Sequence, residues 1–337
     1  MITTDILIIG AGPVGLFTVF EAGLLKLRCH LIDALPQAGG QCSEIYPKKP
    51  IYDIPGFPSV LAGDLIDNLM EQIAPFKPGF TLGESAVTID ETEDNQFIVT
   101  TDRGTKHKAP VVAIAGGLGV FTPRKPPIAN INDFEDKGIK YIVKDPEEFR
   151  NQKVVISGGG DTALDWTIYF VEELNCDVTM VHRSQSFRGH LDSVQKVMNM
   201  AEAGKLKLMM DSEVVGLNGS QQLDEVVIKT KSGEMIHQKL DTWLPLFGLT
   251  PKLGPIADWG LEIEKGAIVV DNSTDYRTNR DGIYAIGDVN HYEGKLKLIL
   301  CGFHEATIMC QSAFKRIHPD KNNVLKYTTV NGVNGFE

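Results

Sequence analysis

Short apolar runs that end in glycine occur twice along this chain of 337 residues. The first run covers residues 5–9 and is followed by the motif GAGPVG, a helical pattern from Leu16 to about Lys26, and another apolar run over residues 28–32. Continuous apolar runs of this length are typical of strands buried on both faces of a parallel sheet. The pattern therefore predicts a strand–helix–strand unit at the start of the chain.

The same pattern returns about 150 residues later. Residues 153–157 form the apolar run, Gly158, Gly160 and Ala163 form GxGxxA, a helix is predicted from Leu164 to about Glu173, and residues 177–181 form the return strand. Alternating segments punctuated by turns follow each unit, at residues 84–104 and 213–233, and predict antiparallel hairpins. We interpret the chain as an internal duplication: an α/β fold of two Rossmann-like dinucleotide-binding domains, each with a small antiparallel β-meander.

The duplicated units imply two crossing points between domains. One is the proline-rich stretch FTPRKPPI at residues 121–128, and the other lies near Thr250-Pro251. We predict a discontinuous first domain of residues 1–120 and 251–337, with a C-terminal extension from about residue 318. Residues 121–250 form the inserted second domain.

The first glycine motif has the spacing of a dinucleotide-binding turn. In such turns the first glycine permits the tight turn, the second admits the pyrophosphate, and the third lets helix and strand pack closely. Asp33 lies 23 residues after Gly10, at the position of an acid that binds a ribose hydroxyl. An ordinary glycine-rich turn is the alternative. The predicted binding residues are Gly10, Gly12, Pro13, Gly15 and Asp33.

A distant stretch indicates which dinucleotide the first turn binds. Residues 281–288 read DGIYAIGD, a predicted strand that ends in Gly287-Asp288. In flavoproteins with two dinucleotide-binding domains, an acid at this position reaches the ribityl chain or the phosphates of FAD. We therefore predict FAD at the first turn, with Asp288 as a ligand; a plain strand end is the alternative.

The second return strand has no acid at its tip and is followed by HRSQSFR. A carboxylate there would repel a 2′-phosphate, whereas an arginine can bind it with two hydrogen bonds. We predict NADPH in preference to NADH, although these arginines could be ordinary surface charges. The predicted residues are Gly158, Gly160, Asp161, Thr162, His182, Arg183 and Arg188.

Composition narrows the function classes further. The net charge of −11 argues against tight binding of nucleic acid. The five cysteines include no CxxC pair, so no dithiol or zinc motif is present, and scattered single cysteines suit a reducing cytoplasm. The apolar start contains Asp5 and several glycines, which argues against a signal peptide. No apolar stretch approaches the roughly 20 residues of a membrane span.

Four ordered motifs, GAGPVG, GGGDTA, HRSQSFR and IYAIGD, give the chain a resemblance to the thioredoxin-reductase-like flavoproteins. The match covers essentially the whole length. The stretches GGQCSEIYPKKPIYDIPGFP, FTPRKPP, DTALDW and YEGKLKLI make it most similar to ferredoxin–NADP⁺ reductases of the thioredoxin-reductase type, which are homodimers. The resemblance implies a cytoplasmic homodimer that carries FAD and uses NADPH as substrate.

The resemblance also implies a route for the electrons. In thioredoxin reductases a CxxC pair precedes the second glycine turn, and its cysteines would fall here at Tyr141 and Lys144. Without that dithiol, electrons must pass directly from reduced flavin to an external acceptor, which the resemblance implies is ferredoxin or flavodoxin. Hydride transfer between nicotinamide and flavin needs orientation more than acid–base groups, so we assign no catalytic histidine.

Further flavin-site residues are implied by the resemblance alone. Tyr52 resembles the aromatic residue that stacks on one face of the isoalloxazine, and Tyr327 resembles the ring on the other face. The alternatives are a core tyrosine and a frayed tail over residues 320–337. Other implied FAD contacts are Gly40, Gln41, Tyr46, Val87, Phe121 and Thr329.

An acidic ferredoxin would need a local basic surface on this acidic chain. The candidate residues are Lys48, Lys49, Lys295, Lys297, Lys315, Arg316, Lys321 and Lys326, and solvated charges without a partner are the alternative. Two other functions stay open: a quinone or flavin reductase that uses NAD(P)H without a redox disulfide, and a non-catalytic flavin-binding sensor or scaffold.

Overall fold

The computed structural model describes residues 1–119, 122–250, 252–321 and 328–336. The chain divides into two compact units. Unit one comprises Met1–Phe121 and Pro251–Glu337, and unit two comprises Thr122–Thr250. Phe121 and Tyr327, two of the predicted flavin-site residues, lie outside the described residues.

The elements follow in chain order. The strands of the first part of unit one are β1 (Ile2–Thr3), β2 (Ile6–Ile9), β3 (Cys29–Asp33), β4 (Pro50–Ile51), β5 (Val60–Leu61), β6 (Gly79–Leu82), β7 (Ala86–Glu91), β8 (Phe97–Thr101), β9 (Lys106–Ala109) and β10 (Val111–Ile114). Its helices are α1 (Pro13–Leu24), α2 (Gln41–Glu44) and α3 (Ala62–Ile73).

Unit two and the return to unit one contain the remaining elements. The strands of unit two are β11 (Thr122–Pro123), β12 (Lys153–Ser157), β13 (Asp177–Val181), β14 (Lys207–Met209), β15 (Ser212–Gly219), β16 (Leu223–Thr230), β17 (Met235–Lys239), β18 (Thr242–Pro245) and β19 (Leu249–Thr250), and its helices are α4 (Asp161–Glu172) and α5 (Leu191–Glu202). The return contributes β20 (Ile263–Glu264), β21 (Ala267–Val269), β22 (Ile283–Ala285), β23 (Asn290–His291), α6 (Ile299–Ile317) and α7 (Thr328–Asn331).

A parallel sheet with the strand order β22-β10-β2-β3-β6 forms the centre of unit one. Every residue of β2 and β10 is buried, as expected for strands covered on both faces. Helix α1 packs against both α3 and α6. Because the strands run parallel, their carboxyl ends all lie along one edge of the sheet, where ligands bind in open α/β folds.

Unit two repeats this arrangement. Its parallel sheet has the order β14-β13-β12-β18, which matches β6-β3-β2-β10 of unit one strand for strand. An antiparallel meander accompanies each sheet, β7-β8-β9 in unit one and β15-β16-β17 in unit two. These sheets confirm the predicted α/β class with two Rossmann-like domains.

Both glycine-turn helices begin earlier than the hydrophobic pattern predicts. Helix α1 begins at Pro13 rather than Leu16, and α4 begins at Asp161 rather than Leu164. Each helix follows directly on a glycine in extended conformation, and proline with its fixed φ suits a first helical position. The first turns, Pro13-Val14-Gly15 in α1 and Asp161-Thr162 in α4, contain too few large apolar residues to show a helical period, so hydrophobic periodicity does not detect them.

Two buried histidines face each other between the sheet and the meander of unit one. His30 on β3 and His107 on β9 lie with ring centroids 4.9 Å apart. The hydroxyl of Thr81 on β6 lies 2.8 Å from Nε2 of His30 and 2.9 Å from Nε2 of His107. The pKa of His30 is lowered from 6.5 to about 4, mainly by burial and to a smaller extent by the neighbouring His107. Both imidazoles are therefore neutral in the folded protein at physiological pH.

This pair predicts acid-sensitive stability. An unfolded histidine binds a proton near pH 6.5, whereas folded His30 does not until about pH 4, so unfolding takes up a proton in this interval. The contribution to the free energy of unfolding is fully present above pH 6.5 and decreases as the pH falls towards 4. We expect His30→Asn to flatten this decline, measured by urea denaturation at pH 7.5 and 5.5. His304→Gln, which changes an exposed histidine of α6, should keep the parental slope. The same slope in His30→Asn and the parent would contradict the assignment.

Candidate functional site

The first glycine turn has the backbone geometry of a dinucleotide cradle. Gly10 has a φ of +113°, and a Cβ there would lie 2.4 Å from the carbonyl oxygen of Ala115. A Cβ at Gly15 would lie 2.0 Å from the carbonyl oxygen of Gly10. At Gly12, in contrast, a Cβ would meet no atom within 4 Å. Two glycines are thus required by the protein itself, and the middle one leaves open space where a pyrophosphate would approach the backbone.

The start of α1 presents an uncapped helix end to this space. Its N-cap residue, Gly12, has no side chain to bond the first N–H groups, and the first turn contains no acidic residue. Free N–H groups and the helix dipole both favour a bound anion. Pro13 occupies the first helical position, where its missing N–H costs nothing. The residues present therefore fit a bound diphosphate.

Asp33 ends β3 beside the turn. Its Oδ2 accepts a hydrogen bond from the N–H of Ala11 at 2.6 Å, and its Oδ1 accepts one from Leu35 at 2.9 Å. Burial raises the pKa of this carboxyl group. The two backbone bonds fix the carboxylate at the carboxyl edge of the sheet and leave lone pairs for the ribose hydroxyl predicted there.

The segment that contains Gly40, Gln41 and Tyr46 lies against the first turn. The N–H of Gly39 donates to the carbonyl of Ala11 at 2.8 Å, and a Cβ at Gly40 would lie 3.3 Å from Cα of Gly12. The side-chain amide nitrogen of Gln41 lies 3.8 Å from the Cβ position of Gly117, in the loop after β10. The predicted flavin residues 40 and 41 are therefore brought to the carboxyl edge.

Tyr46, Cys42 and Asp288 share a partly buried environment at this edge. The Tyr46 hydroxyl and the Cys42 thiol are hydrogen-bonded to each other, and burial raises the pKa of Cys42 to about 11. The negative charge of Asp288 raises the pKa of both groups further, so the three side chains lie within electrostatic range. The Cys42 thiol therefore stays protonated and unreactive at neutral pH.

Val87 is the extra residue of a β-bulge. The register of β7 against β8 shifts between Ala86 and Thr88, and the carbonyl of Val87 accepts a hydrogen bond from Nε1 of Trp259 at 2.9 Å. A bulged residue does not take part in the regular ladder, and the carbonyl oxygen of Val87 is bound to the Trp259 side chain instead. The predicted FAD contact at Val87 is compatible with this position and stays a prediction.

The two remaining predicted residues of unit one are exposed. Tyr52 follows β4, and 72% of its surface is accessible, so it is not the core tyrosine of the alternative interpretation. Thr329 lies on the short helix α7. Farther along, the ring of Phe336 packs edge-on against Phe76, and its N–H donates to Pro75 at 2.9 Å. Residues 334–336 are therefore attached to unit one, and the roles of Tyr52 and Thr329 stay predictions.

The second glycine turn repeats the cradle in unit two. A Cβ at Gly158 would lie 2.7 Å from both Cβ of Ala163 and the carbonyl oxygen of Leu246, whereas a Cβ at Gly160 would meet nothing within 4 Å. Helix α4 begins directly after Gly160 and has no side-chain cap. The open position is again the middle glycine of the motif, where a phosphate group would lie.

The loop after β13 is held close to this turn. The N–H of Arg188 donates to the carbonyl of Gly159 at 2.8 Å. Oδ1 of Asp161 accepts a hydrogen bond from the N–H of His190 at 2.6 Å, so this carboxylate anchors the loop. Thr162, the next residue of α4, is exposed. Asp161 thus has a structural role that its place in the motif did not predict.

The buried imidazole of His182 packs against the same loop. Its imidazole is 6% exposed and is stacked on Phe187 with ring centroids 4.7 Å apart. Its Nε2 lies 2.9 Å from the Ser184 hydroxyl and 3.0 Å from the carbonyl oxygen of Ser186. A Cβ at Gly159 would lie 2.0 Å from this ring. The structure therefore gives His182 a packing role, and its contact with a nucleotide stays a prediction.

Arg183 and Arg188 are exposed at this loop. Within the described residues, neither guanidinium group forms a hydrogen bond or an ion pair with the protein. The neighbouring Gln185 side chain, in contrast, is bound to Asp211. Two available arginines beside a phosphate cradle are what recognition of a 2′-phosphate requires.

Two of the predicted basic surface residues are paired within the protein, and the assignment of the buried Lys295 to a partner surface is wrong. Lys295 is paired with Glu305, and its side chain is only 4% exposed. Arg316 is paired with Asp281 and donates to the carbonyl of Pro110 at 3.0 Å. The sequence showed their charge but not their partners. Lys297, by contrast, is exposed close to Asp288: burial raises the pKa of that carboxyl group, and the positive charges of Lys295 and Lys297 oppose the rise.

Comparison with known proteins identifies the family. The sequence model of the pyridine nucleotide-disulphide oxidoreductases matches residues 4–306. The chain belongs to this family. Among curated members, a protein named ferredoxin–NADP reductase 1 from Christiangramia forsetii is 68% identical, with coverage of 100% of this chain and 96% of the relative. Ferredoxin–NADP reductases from Flavobacterium johnsoniae and Mesorhizobium japonicum are 64% and 48% identical over 100% and 98% of this chain, and over 96% and 95% of the relatives.

Solved structures agree on the fold of this oxidoreductase. Thioredoxin reductase from Lactococcus lactis matches 93% of the chain and 99% of its own with a TM-score of 0.79 at 24% identity. Thioredoxin reductase from T. acidophilum matches 94% of the chain and 99% of its own with a TM-score of 0.80 at 22% identity. These matches confirm the thioredoxin-reductase-like fold. Among the described residues, no helix is both long and apolar enough to cross a membrane.

Substitutions at Gly12 and Gly15 should distinguish a glycine needed for ligand binding from a glycine needed for packing. Gly12→Ala adds a methyl group to open space, so the ligand-free protein should melt at the parental temperature. The affinity for FAD, the dinucleotide predicted at this turn, should fall about tenfold or more because the methyl group would occupy the predicted pyrophosphate position. Gly15→Ala should instead lower stability by about 1–3 kcal/mol, since its methyl group overlaps the Gly10 carbonyl. Thermal melting without ligand and titration with FAD measure both effects. Parental FAD affinity in Gly12→Ala would contradict the cradle.

Proposed function

We propose that this oxidoreductase transfers electrons between NADPH and ferredoxin or flavodoxin through bound FAD. The observation that carries the proposal is the pair of open glycine cradles. One has an acid at the neighbouring strand end, and the other has two arginines without a partner among the described residues. The names of relatives that are 64–68% identical over the whole chain support the same activity.

FAD is assigned to residues 1–120 and 251–337, and NADPH to residues 121–250. Asp33 and Asp288 support FAD in unit one because both carboxyl groups lie beside the first cradle. The absence of an acid at the end of β13, together with Arg183 and Arg188, supports NADPH in unit two. The bound flavin would supply the step from two-electron to one-electron transfer.

Electrons leave this protein without a thiol relay. Tyr141, at one position of the absent dithiol, donates a hydrogen bond from its hydroxyl to Glu135 at 2.8 Å, so this site has become structural. Lys144 occupies the other position. Cys176 is the one cysteine in the sequence between residues 122 and 250, and its buried thiol donates to the carbonyl of Phe149 at 3.0 Å. Burial raises the pKa of this thiol, which disfavours the reactive thiolate.

The protein's own residues would bind, orient and enclose the cofactors. The two cradles bind diphosphates, and Gln41 and Tyr46 border the first of them. The exposed ring of Tyr52 is proposed to stack on one face of the flavin, and Tyr327 on the other. No acid–base residue is needed, because hydride transfer depends on contact and orientation. We also propose that the enzyme is a cytoplasmic homodimer.

Specificity for NADPH is assigned to the arginines. Arg183→Ala should raise the KM for NADPH about tenfold or more, the value of one charge-assisted hydrogen bond, and change the KM for NADH by less than about twofold. Lys205→Ala is the control: this exposed residue precedes β14 and so lies at the opposite edge of the sheet. Equal changes for both nucleotides in Arg183→Ala would contradict the assignment.

The activity is tested by electron transfer with and without ferredoxin. NADPH added anaerobically should bleach the flavin of the purified enzyme, and reduction of cytochrome c should depend on added ferredoxin and slow with increasing salt. Cytochrome reduction that is independent of ferredoxin, with rapid turnover of quinones, would instead identify the alternative quinone or flavin reductase. A flavin that NADPH leaves oxidised would contradict both enzymes and favour a sensor or scaffold.

The docking site can be localised in the same assay. Lys297→Glu should slow ferredoxin-dependent turnover about threefold or more at low salt because it reverses an exposed charge near Asp288. Lys205→Glu makes the same change in net charge in unit two, at the exposed residue that precedes β14, and it should have little effect. Equal effects of the two changes would indicate a general charge effect and refute docking at Lys297.

A further inference from the structure

A fully buried carboxylate lies behind the Gly287-Asp288 turn. Glu305, on the buried side of α6, has no exposed surface. An ionised carboxylate is costly to bury, so such a residue persists only where hydrogen bonds or a counter-charge compensate it. Glu305 belongs to neither glycine motif and to none of the predicted binding sites. We therefore examine which groups compensate the charge of this buried residue.

Four donors surround the Glu305 carboxylate. Oε2 accepts hydrogen bonds from the N–H of Gly287 at 2.7 Å and from the Asn290 amide at 2.9 Å. Oε1 accepts one from the Tyr292 hydroxyl at 2.8 Å and forms an ion pair with Lys295. All four donors come from the segment between β22 and α6. A single side chain therefore gathers nine consecutive residues, 287–295, around itself.

Lys295 makes the buried group electrically neutral. Its side chain is 4% exposed, and its ammonium lies 5.3 Å from the centroid of the Tyr292 ring. Breaking such a pair by removal of one partner leaves an uncompensated buried charge, which costs more than the loss of a surface pair. Burial raises the pKa of the neighbouring Asp288, and the two charges modify this rise in opposite directions: Lys295 opposes it and Glu305 adds to it.

The network is continuous with the first cradle. Gly287 has a φ of +75°, and a Cβ there would lie 3.3 Å from the Val14 side chain of α1. A Cβ at Gly302 of α6 would lie 2.4 Å from Val14 and 3.4 Å from Cα of Gly287. The Val14 side chain, at the phosphate-facing end of α1, thus packs against the backbone of the turn at Gly287 and of α6 at Gly302. A shift at Glu305 would therefore reach both Asp288 and the start of α1.

We propose that Glu305, with Lys295 as its counter-charge, is a positioning residue that fixes the Gly287-Asp288 turn for flavin binding and sets the charge beside the flavin. This inference rests on the proposed FAD site in unit one. Glu305 does not act on substrate; it acts through the backbone of Gly287 and through the carboxylate of Asp288.

The test compares Glu305→Gln and Lys295→Met with Asp275→Asn. Asp275 is a matched control because it is a 5% exposed carboxylate of the same unit, bound to Arg277 and Ser312, without a contact to the turn at Gly287 among the described residues. For each variant we would measure the melting temperature without FAD, the Kd for FAD by reconstitution, and the midpoint potential of the bound flavin. The parental enzyme's FAD binding separately tests the proposed function.

We expect Glu305→Gln to weaken FAD binding about tenfold, and Asp275→Asn to change it by less than about threefold, at comparable losses in melting temperature. The flavin potential should rise in Glu305→Gln, where the Lys295 charge is left alone, and fall in Lys295→Met, where the Glu305 charge is left alone. If Glu305→Gln does not fold, the shift in Lys295→Met alone decides. Parental potentials, or equal losses of FAD affinity in Glu305→Gln and Asp275→Asn, would overturn the inference.

Discussion

The close approach of helix and strand at the first glycine turn is the constraint on which unit one depends. Cβ of any residue at position 15 would overlap the carbonyl oxygen of Gly10, so α1 can pack on β2 only through glycine. The same approach aims the N-terminus of α1 at the carboxyl edge and leaves Gly12 facing open space. In unit two the third position of the motif is Ala163, and a Cβ at Gly158 would lie 2.7 Å from the Cβ of Ala163, so glycine is required at the first position. One steric requirement thus produces both the fold and a place for phosphate.

Features that depend on neighbours in sequence were predictable. Strand β12 begins and ends where the apolar run does, and Asp33 was found because an acid at a strand end is defined by its distance from a glycine motif. The presence of two parallel sheets followed from the repetition of these local patterns. Helix starts were less accurate because the first turns of α1 and α4 contain too few large apolar residues to show a helical period.

Features that depend on partners distant in the fold were not predictable. Lys295 looks like a surface charge in the sequence YEGKLK, and only the fold shows that Glu305, ten residues later, buries it. Arg316 likewise follows a lysine at a helix end, and its partner Asp281 lies before β22. Asp161 was identified as a motif residue, but its bond to His190 depends on the path of the loop after β13. A sequence shows which residues are charged, but only the tertiary structure shows which of them are buried and which groups compensate their charge.

The pair of histidines between β3 and β9 has a consequence for the placement of hydrogen atoms. The Thr81 hydroxyl lies within hydrogen-bond distance of Nε2 of both rings, but its one hydrogen can be donated to only one of them. The ring that receives this hydrogen bond has a bare Nε2 and carries its own hydrogen on Nδ1. The other ring donates a hydrogen from Nε2 to the Thr81 oxygen. The two imidazoles are therefore opposite tautomers, and the chain of hydrogen bonds between the strands has a single direction.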